Sequence, residues 1–80
     1  MTVTVLLFAS YADALGRNAV ELPLADGATV GDVVAGLGRI AGPGRLPAAP
    51  MVAVNQRYAT YDQTVCAGDE VAVIPPVAGG

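Results

Sequence analysis

The residues best suited to chemistry form the C-terminal segment of the sequence: Pro75, Pro76, Val77, Ala78, Gly79 and Gly80. Glycine has no Cβ and can pass through a narrow channel, and a proline pair holds a segment extended. The four residues after the prolines span ~13 Å at most. We therefore expect the carboxylate of Gly80 to reach the active site of another protein. Because a carboxylate resists nucleophiles, that partner would first convert it into an acyl adenylate, which sulfur or another nucleophile can displace.

The composition restricts the chemistry that the chain can perform alone. The chain contains no His, no Lys and one Cys, and its net charge is -3. Intrachain disulfides, zinc sites, His-based triads and Schiff bases are therefore excluded, and no basic stripe is available for nucleic acid. No apolar run approaches the ~20 residues of a membrane-spanning helix. We expect no catalytic site of its own, no metal, no permanently bound cofactor, no nucleic acid or membrane partner, and a cytoplasmic location.

Other polar residues are weaker candidates. Cys66 lies between two apolar residues and is predicted to be a small buried group, the usual state of a free cysteine. Asp69 and Glu70 are adjacent in a predicted turn and are interpreted as solvated acids rather than as a catalytic pair. The four arginines are scattered, and the sequence does not indicate which of them contacts a partner.

The elements that must position the tail follow from periodicity and turn signals. Strands are predicted at residues 2–8, 19–24, 51–54 and 70–74, with a short extended piece near 58–61. A helical turn is predicted at 10–15, and the main helix begins at Thr29, with Asp32 in the position of a capping box. Pro23 indicates that the second strand is an edge. Residues 1–80 are thus predicted to be a single α+β domain with the β-grasp, ubiquitin-like arrangement, a mixed sheet with one main helix across one face. Residues 75–80 are predicted to be its extended, flexible tail.

The alternation of apolar residues predicts which sheet face is covered. The core is predicted to contain residues of the first strand and of the main helix: Val3, Val5, Leu7, Val30, Val33, Val34 and Leu37. The first strand is continuously apolar, which favours a central strand contacted on both faces. Apolar residues that point away from the helix form the predicted partner interface: Leu6, Phe8, Tyr58 and Ile74.

The sequence also resembles the ubiquitin-like sulfur carriers of the MoaD/ThiS family over its whole length. It is most similar to small subunits of molybdopterin synthase. The matching segments are Leu7-Phe8-Ala9, Gly16, Ala28-Thr29-Val30, Val52-Ala53-Val54-Asn55-Gln56, Gly68-Asp69-Glu70-Val71-Ala72 and the terminal Pro-Pro-Val-Ala-Gly-Gly. The last two of these segments are the ones most specific to the family. The loop at residues 41–50 and the absence of lysine depart from the family pattern, but neither involves the tail.

This resemblance implies a chemical role for Gly80. An E1-like adenylyltransferase would use ATP to adenylylate it, and a sulfur donor enzyme would supply the sulfur of its thiocarboxylate, 1-thioglycine. The tail would then enter the large synthase subunit, in an expected heterotetramer, and its sulfur would build the dithiolene of molybdopterin. The thiamine-pathway carrier, a protein modifier and a non-covalent ubiquitin-like binding module remain alternatives.

Overall fold

In the computed structural model, residues 1–42, 44, 46 and 49–75 are described. They form five strands and two helices. The elements are β1 (Thr2–Leu7), α1 (Ser10–Leu15), β2 (Ala19–Pro23), α2 (Val30–Ala41), β3 (Met51–Val54), β4 (Arg57–Tyr58) and β5 (Glu70–Ile74).

The strands form one mixed sheet in the order β2-β1-β5-β3-β4. β1 and β5 are parallel, and the other neighbouring pairs are antiparallel. The prediction that the first and last strands are neighbours is therefore confirmed, as is the edge position of the proline-containing β2. This is the predicted β-grasp arrangement, and it places the strand that precedes the tail in the middle of the sheet.

The helix α2 begins at a complete capping box. The Thr29 hydroxyl accepts from the Asp32 backbone N–H at 3.3 Å, and the Asp32 carboxylate accepts from the Thr29 N–H at 2.9 Å. These bonds satisfy backbone donors that the first helical turn leaves free. Val30, Val33 and Leu37 then recur at helical spacing and are at most 1% exposed. α2 thus covers one face of the sheet, as predicted.

The core lies between α2 and the inward face of the strands. Its members on β1 are Val3, Val5 and Leu7, which are 3% exposed or less. Val34 was predicted to belong to this core and is only partly buried against it. The expectation that β1 is covered on both faces is wrong: its burial alternates, because α2 covers only one face and Leu6 stays partly exposed on the other.

The hairpin between β3 and β4 is tighter than predicted. Asn55 and Gln56 both have positive φ, of 50° and 71°, as a two-residue turn with the twist of a hairpin requires. The extended piece expected near residues 58–61 is the two-residue strand Arg57–Tyr58. A short β4 leaves the residues that follow it free to turn back towards α2.

Candidate functional site: the tail exit and the outer sheet face

The tail begins where β5 stops pairing with β1. The Thr4 N–H donates to the Asp69 carbonyl at 3.1 Å, and the parallel register continues to the pair Leu7 and Val73. Alternate residues of a strand bond to the same neighbour, so the next donor of β5 towards β1 would be residue 75. Pro75 has no N–H. The Phe8 carbonyl, which that donor would have faced, instead accepts from the first turn of α1 through the Tyr11 N–H at 3.1 Å.

The start of β3 forms the other side of this exit. Met51 is paired with Ile74, and continuing that antiparallel register by one residue places Pro50 opposite Pro75. In this register residues 50 and 75 form a non-hydrogen-bonded pair, so the bonded pair that precedes the exit is Met51 with Ile74. The Pro50 carbonyl accepts a hydrogen bond from the Tyr61 hydroxyl at 2.6 Å. The pairing of β5 with β1 ends at Val73 and its pairing with β3 ends at Ile74, so the chain leaves both ladders just before Pro75.

Apolar side chains cover the sheet face that α2 leaves open, next to this exit. We call this surface the outer face, and it comprises Leu6, Phe8, Met51, Ala53, Tyr58, Ala72 and Ile74. The strand register aligns Leu6, Ala72, Ala53 and Tyr58 in one row across four strands. Phe8 is 47% exposed and Tyr58 is 73% exposed. A contiguous apolar surface that ends at the tail is suited to binding another protein.

The predicted interface residues Leu6, Phe8, Tyr58 and Ile74 all lie on this outer face. The structure adds Met51, which is 38% exposed and which the sequence analysis did not single out. Its position could have been predicted from alternation, because Val52 and Val54 of the same strand belong to the core cluster and Met51 lies on the opposite side.

The outer face changes character towards the start of β1. The register places Thr4 between Glu21 and Glu70, in a row adjacent to the apolar one. The Thr4 hydroxyl donates to the Glu21 carboxylate at 3.1 Å. The surface is thus apolar near the tail and acidic away from it, which favours a partner with cationic groups on the far side of its binding surface.

Cys66 is exposed, so the prediction that it is buried is wrong. Its neighbour Val65 takes the core position instead and is 1% exposed. The Cys66 N–H donates to the Asp69 carboxylate at 2.7 Å, and the Asn55 side-chain amide donates to the same carboxylate at 3.0 Å. Asp69 therefore fixes the turn before β5. Asp69 and Glu70 were interpreted as solvated acids of a turn, and Glu70 is exposed while Asp69 is partly buried.

Two tyrosines lie behind the exit. Tyr11 is 1% exposed and belongs to the core. Burial raises the pKa of its hydroxyl, and the neighbouring Tyr61 raises it further. Burial also raises the pKa of the Tyr61 hydroxyl. Both groups are therefore protonated at neutral pH, and Tyr61 is available as the donor to Pro50.

The described residues contain no group of His, Cys, Asp and Glu side chains that could hold a metal ion. None of the helices in the described ranges is long and apolar enough to cross a membrane. An open cavity of about 370 Å³ is lined by Pro23, Asp26 and Arg39. Pro23 is paired with Thr2, the first residue of β1, so the cavity lies at the end of β1 away from the exit. The predicted carrier residue Gly80 and the tail residues Pro76, Val77, Ala78 and Gly79 lie outside the described residues.

Comparison with solved structures gives close matches over the whole chain. SAMP1 from Haloferax volcanii has 31% sequence identity, complete coverage of both chains and a TM-score of 0.81. A protein of Pyrococcus furiosus assigned as molybdopterin converting factor, subunit 1, has 31% identity, a TM-score of 0.81, and coverage of 96% of this chain and 99% of its own. The complex of subunits 1 and 2 of molybdopterin-converting factor from Helicobacter pylori 26695 contains a chain with the same fold, at 20% identity, complete coverage of both chains and a TM-score of 0.68.

The sequence also matches the model of the ThiS family across residues 5–80, from β1 through the Gly-Gly tail. That range includes both helices and the whole sheet, apart from the first three residues of β1. The match to the family model and the β-grasp fold agree, and the chain belongs to the ThiS family of sulfur carriers and ubiquitin-like modifiers.

Proposed function

We propose that this chain is the sulfur carrier subunit of a molybdopterin synthase. Its Gly80 carboxylate is activated, converted to a thiocarboxylate, and used to deliver sulfur to a pterin precursor in the active site of a large subunit. The observation that carries the proposal is the coincidence of two features. The central strand β5 stops at Pro75, and the outer face presents exposed Phe8 and Met51 beside that point.

The chemistry of the tail needs two substitutions, the first at phosphorus and the second at the acyl carbon. In the first, a Gly80 carboxylate oxygen attacks the α-phosphorus of ATP on the activating enzyme, and pyrophosphate leaves. In the second, a sulfur nucleophile forms a bond to the acyl carbon, and AMP leaves with the former carboxylate oxygen. The activating enzyme, a sulfur donor and the large subunit supply the catalytic groups, since this chain contributes the reacting carboxylate and the surface that docks it.

Docking on the large subunit is proposed to use the outer face. The Helicobacter pylori complex is a precedent for a chain of this fold bound to a second subunit. An apolar surface beside the tail would hold the domain while the thin tail enters the partner, and binding energy from the domain would position the reacting group. Cytoplasmic assembly into a heterotetramer is part of this proposal.

A modifier function is the second candidate, because SAMP1 from Haloferax volcanii matches the whole chain as well as the molybdopterin-related protein does. In that case the activated carboxyl of Gly80 is attacked by an amine of a target protein instead of by sulfur. The chain itself contains no lysine, so its copies could not be linked to one another through lysine side chains. A thiamine-pathway carrier would perform the same activation with a different acceptor, and a binding module would need no Gly80 chemistry.

Intact-mass spectrometry distinguishes these functions. The full chain is incubated with its activating enzyme, ATP and a sulfur donor. A carrier gains the mass difference between sulfur and oxygen, confined to the C-terminal peptide and dependent on ATP. Deletion of Gly80 abolishes the gain, and one residue added after Gly80 also abolishes it by moving the carboxylate away from the nucleotide. Cys66→Ser is the matched control, because this exposed thiol could also collect sulfur.

Each outcome selects one function. Sulfur on Gly80 in the parent and in Cys66→Ser supports a carrier, and formation of the dithiolene after addition of the large subunit and the pterin precursor supports the molybdopterin assignment. Adducts of higher mass on other proteins in cell extract, dependent on Gly80, support a modifier. Sulfur found on Cys66 alone, or full function after deletion of Gly80, would falsify the carrier mechanism.

A further inference from the structure

The hydroxyl of Tyr61 fixes one side of the tail exit. It donates to the Pro50 carbonyl at 2.6 Å in a partly buried position. Pro50 precedes Met51, the last β3 residue paired with β5. Even-numbered residues of β3 turn their backbone towards β4, as the bond from the Ala59 N–H to the Val52 carbonyl shows. The phenol of Tyr61 therefore replaces the backbone donor that a longer β4 would have offered.

The backbone of Tyr61 is itself held by the main helix. The Gly31 N–H donates to the Tyr61 carbonyl at 2.9 Å, and the Val30 N–H donates to the Gln63 carbonyl at the same distance. The space at Gly31 is limited, since a Cβ there would lie 3.4 Å from the Tyr61 carbonyl oxygen. Tyr61 thus connects the first turn of α2 to the start of β3, and the residue is 40% exposed.

We propose that Tyr61 is a positioning residue for the tail. By holding Pro50, it fixes the start of β3 against Ile74 and so fixes the point and the direction in which the chain leaves the sheet at Pro75. No β3–β5 ladder bond performs this task at this level, because residues 50 and 75 fall at a non-hydrogen-bonded pair of the antiparallel register, beyond the bonded pair Met51 and Ile74. The inference rests on the proposed use of the tail, and it adds a residue that is remote in sequence from the tail.

The test compares Tyr61→Phe with a matched control. Tyr61→Phe keeps the ring and removes the hydroxyl. The control, Leu22→Val, shortens a buried side chain of β2 that is paired with Val3, at the end of β1 away from the exit, and so destabilises the domain without touching the exit. The assay is sulfur transfer from the thiocarboxylate form of the full chain to the pterin precursor on the large subunit. The kcat and the KM for the carrier are measured separately.

We expect Tyr61→Phe to lower kcat by about five-fold, the effect of one net hydrogen bond, with KM unchanged because the outer face is intact. Leu22→Val should leave kcat unchanged. A purely structural role of Tyr61 predicts the reverse pattern, in which a smaller folded fraction raises the apparent KM in both variants. Equal kcat in the parent and Tyr61→Phe overturns the proposal.

A second measurement does not depend on sulfur chemistry. Backbone ¹⁵N relaxation should show lower order parameters at Met51 and Ile74 in Tyr61→Phe, with no change at Val54 and Val71 at the other end of the same strands. Unchanged order at Met51 and Ile74 also overturns the proposal. If their order falls but the parent transfers no sulfur, the proposed function is wrong and the structural role of Tyr61 still holds.

Discussion

Phe8 offers the sharpest test of the outer face. Its side chain is 47% exposed beside the tail exit. An aromatic side chain presents about 200 Å² of surface, so a partner that covers the exposed part buries about 100 Å². At ~25 cal/mol per Å², this burial contributes about 2 kcal/mol to binding. Phe8→Asp removes this contribution and places a charge in the interface. We therefore expect the Kd for the large subunit to rise at least about 30-fold, since 1.4 kcal/mol corresponds to a factor of about ten.

Calorimetric titration of the large subunit with each variant measures this effect. Ile40→Asp is the matched control, because Ile40 is 55% exposed but lies on α2, which covers the inner face of the sheet. Circular dichroism and urea unfolding check that both variants are folded at the temperature of the titration. Equal weakening by the two substitutions, or parental affinity of Phe8→Asp, would refute the assignment of the interface to the outer face.

Further predictions concern stability. Ala9 has φ 49° and ψ -122°, a region that favours glycine, so Ala9→Gly should raise the free energy of unfolding by about 1 kcal/mol in urea titrations, and a loss would contradict the strain. Gly38→Ala should add about 0.5–1 kcal/mol, since a Cβ there has no neighbour within 4 Å, whereas Gly36→Ala should gain nothing because its Cβ would lie 3.1 Å from a core leucine methyl. The raised pKa values of Tyr11 and Tyr61 mean that the folded state holds these protons more tightly than the unfolded chain does. Stability should therefore be complete below the ordinary tyrosine pKa of 10.0 and decline as pH rises through the folded values, with absorbance at 295 nm reporting phenolate formation during alkaline unfolding.

The sequence contained the sheet architecture but not its finer details. Period-two alternation predicted that Val5 and Leu7 face the core, and a capping box predicted the start of α2, because both signals are local. The prediction for Cys66 was wrong because the inward-facing position was assigned one residue too late in the chain. In an extended segment adjacent side chains face opposite sides, so the burial of Val65 puts Cys66 in solvent, and the sequence alone did not indicate which of the two points inward.

The candidate site was predictable to the same extent. The outer face followed from alternation on β1 and β5, with Phe8 and Ile74 pointing away from the helix. Met51 was missed because its strand is short, although the same alternation applies to it. The bond from Tyr61 to Pro50 had no local signal, since it depends on how far β4 extends and where the chain turns back towards α2.

The central position of β5 also has a mechanical consequence. A force on the tail acts along β5, which is bonded on one side to β1 and on the other to β3. Backbone hydrogen bonds of an antiparallel pair lie across the strand direction, and those of a parallel pair are slanted, so such a pull loads both ladders together in shear instead of opening them one bond at a time. A strand at the edge of the sheet, such as β2, would be held on one side only. Under the proposed function, a partner that pulls on the tail would therefore load the whole sheet instead of peeling one strand from its edge.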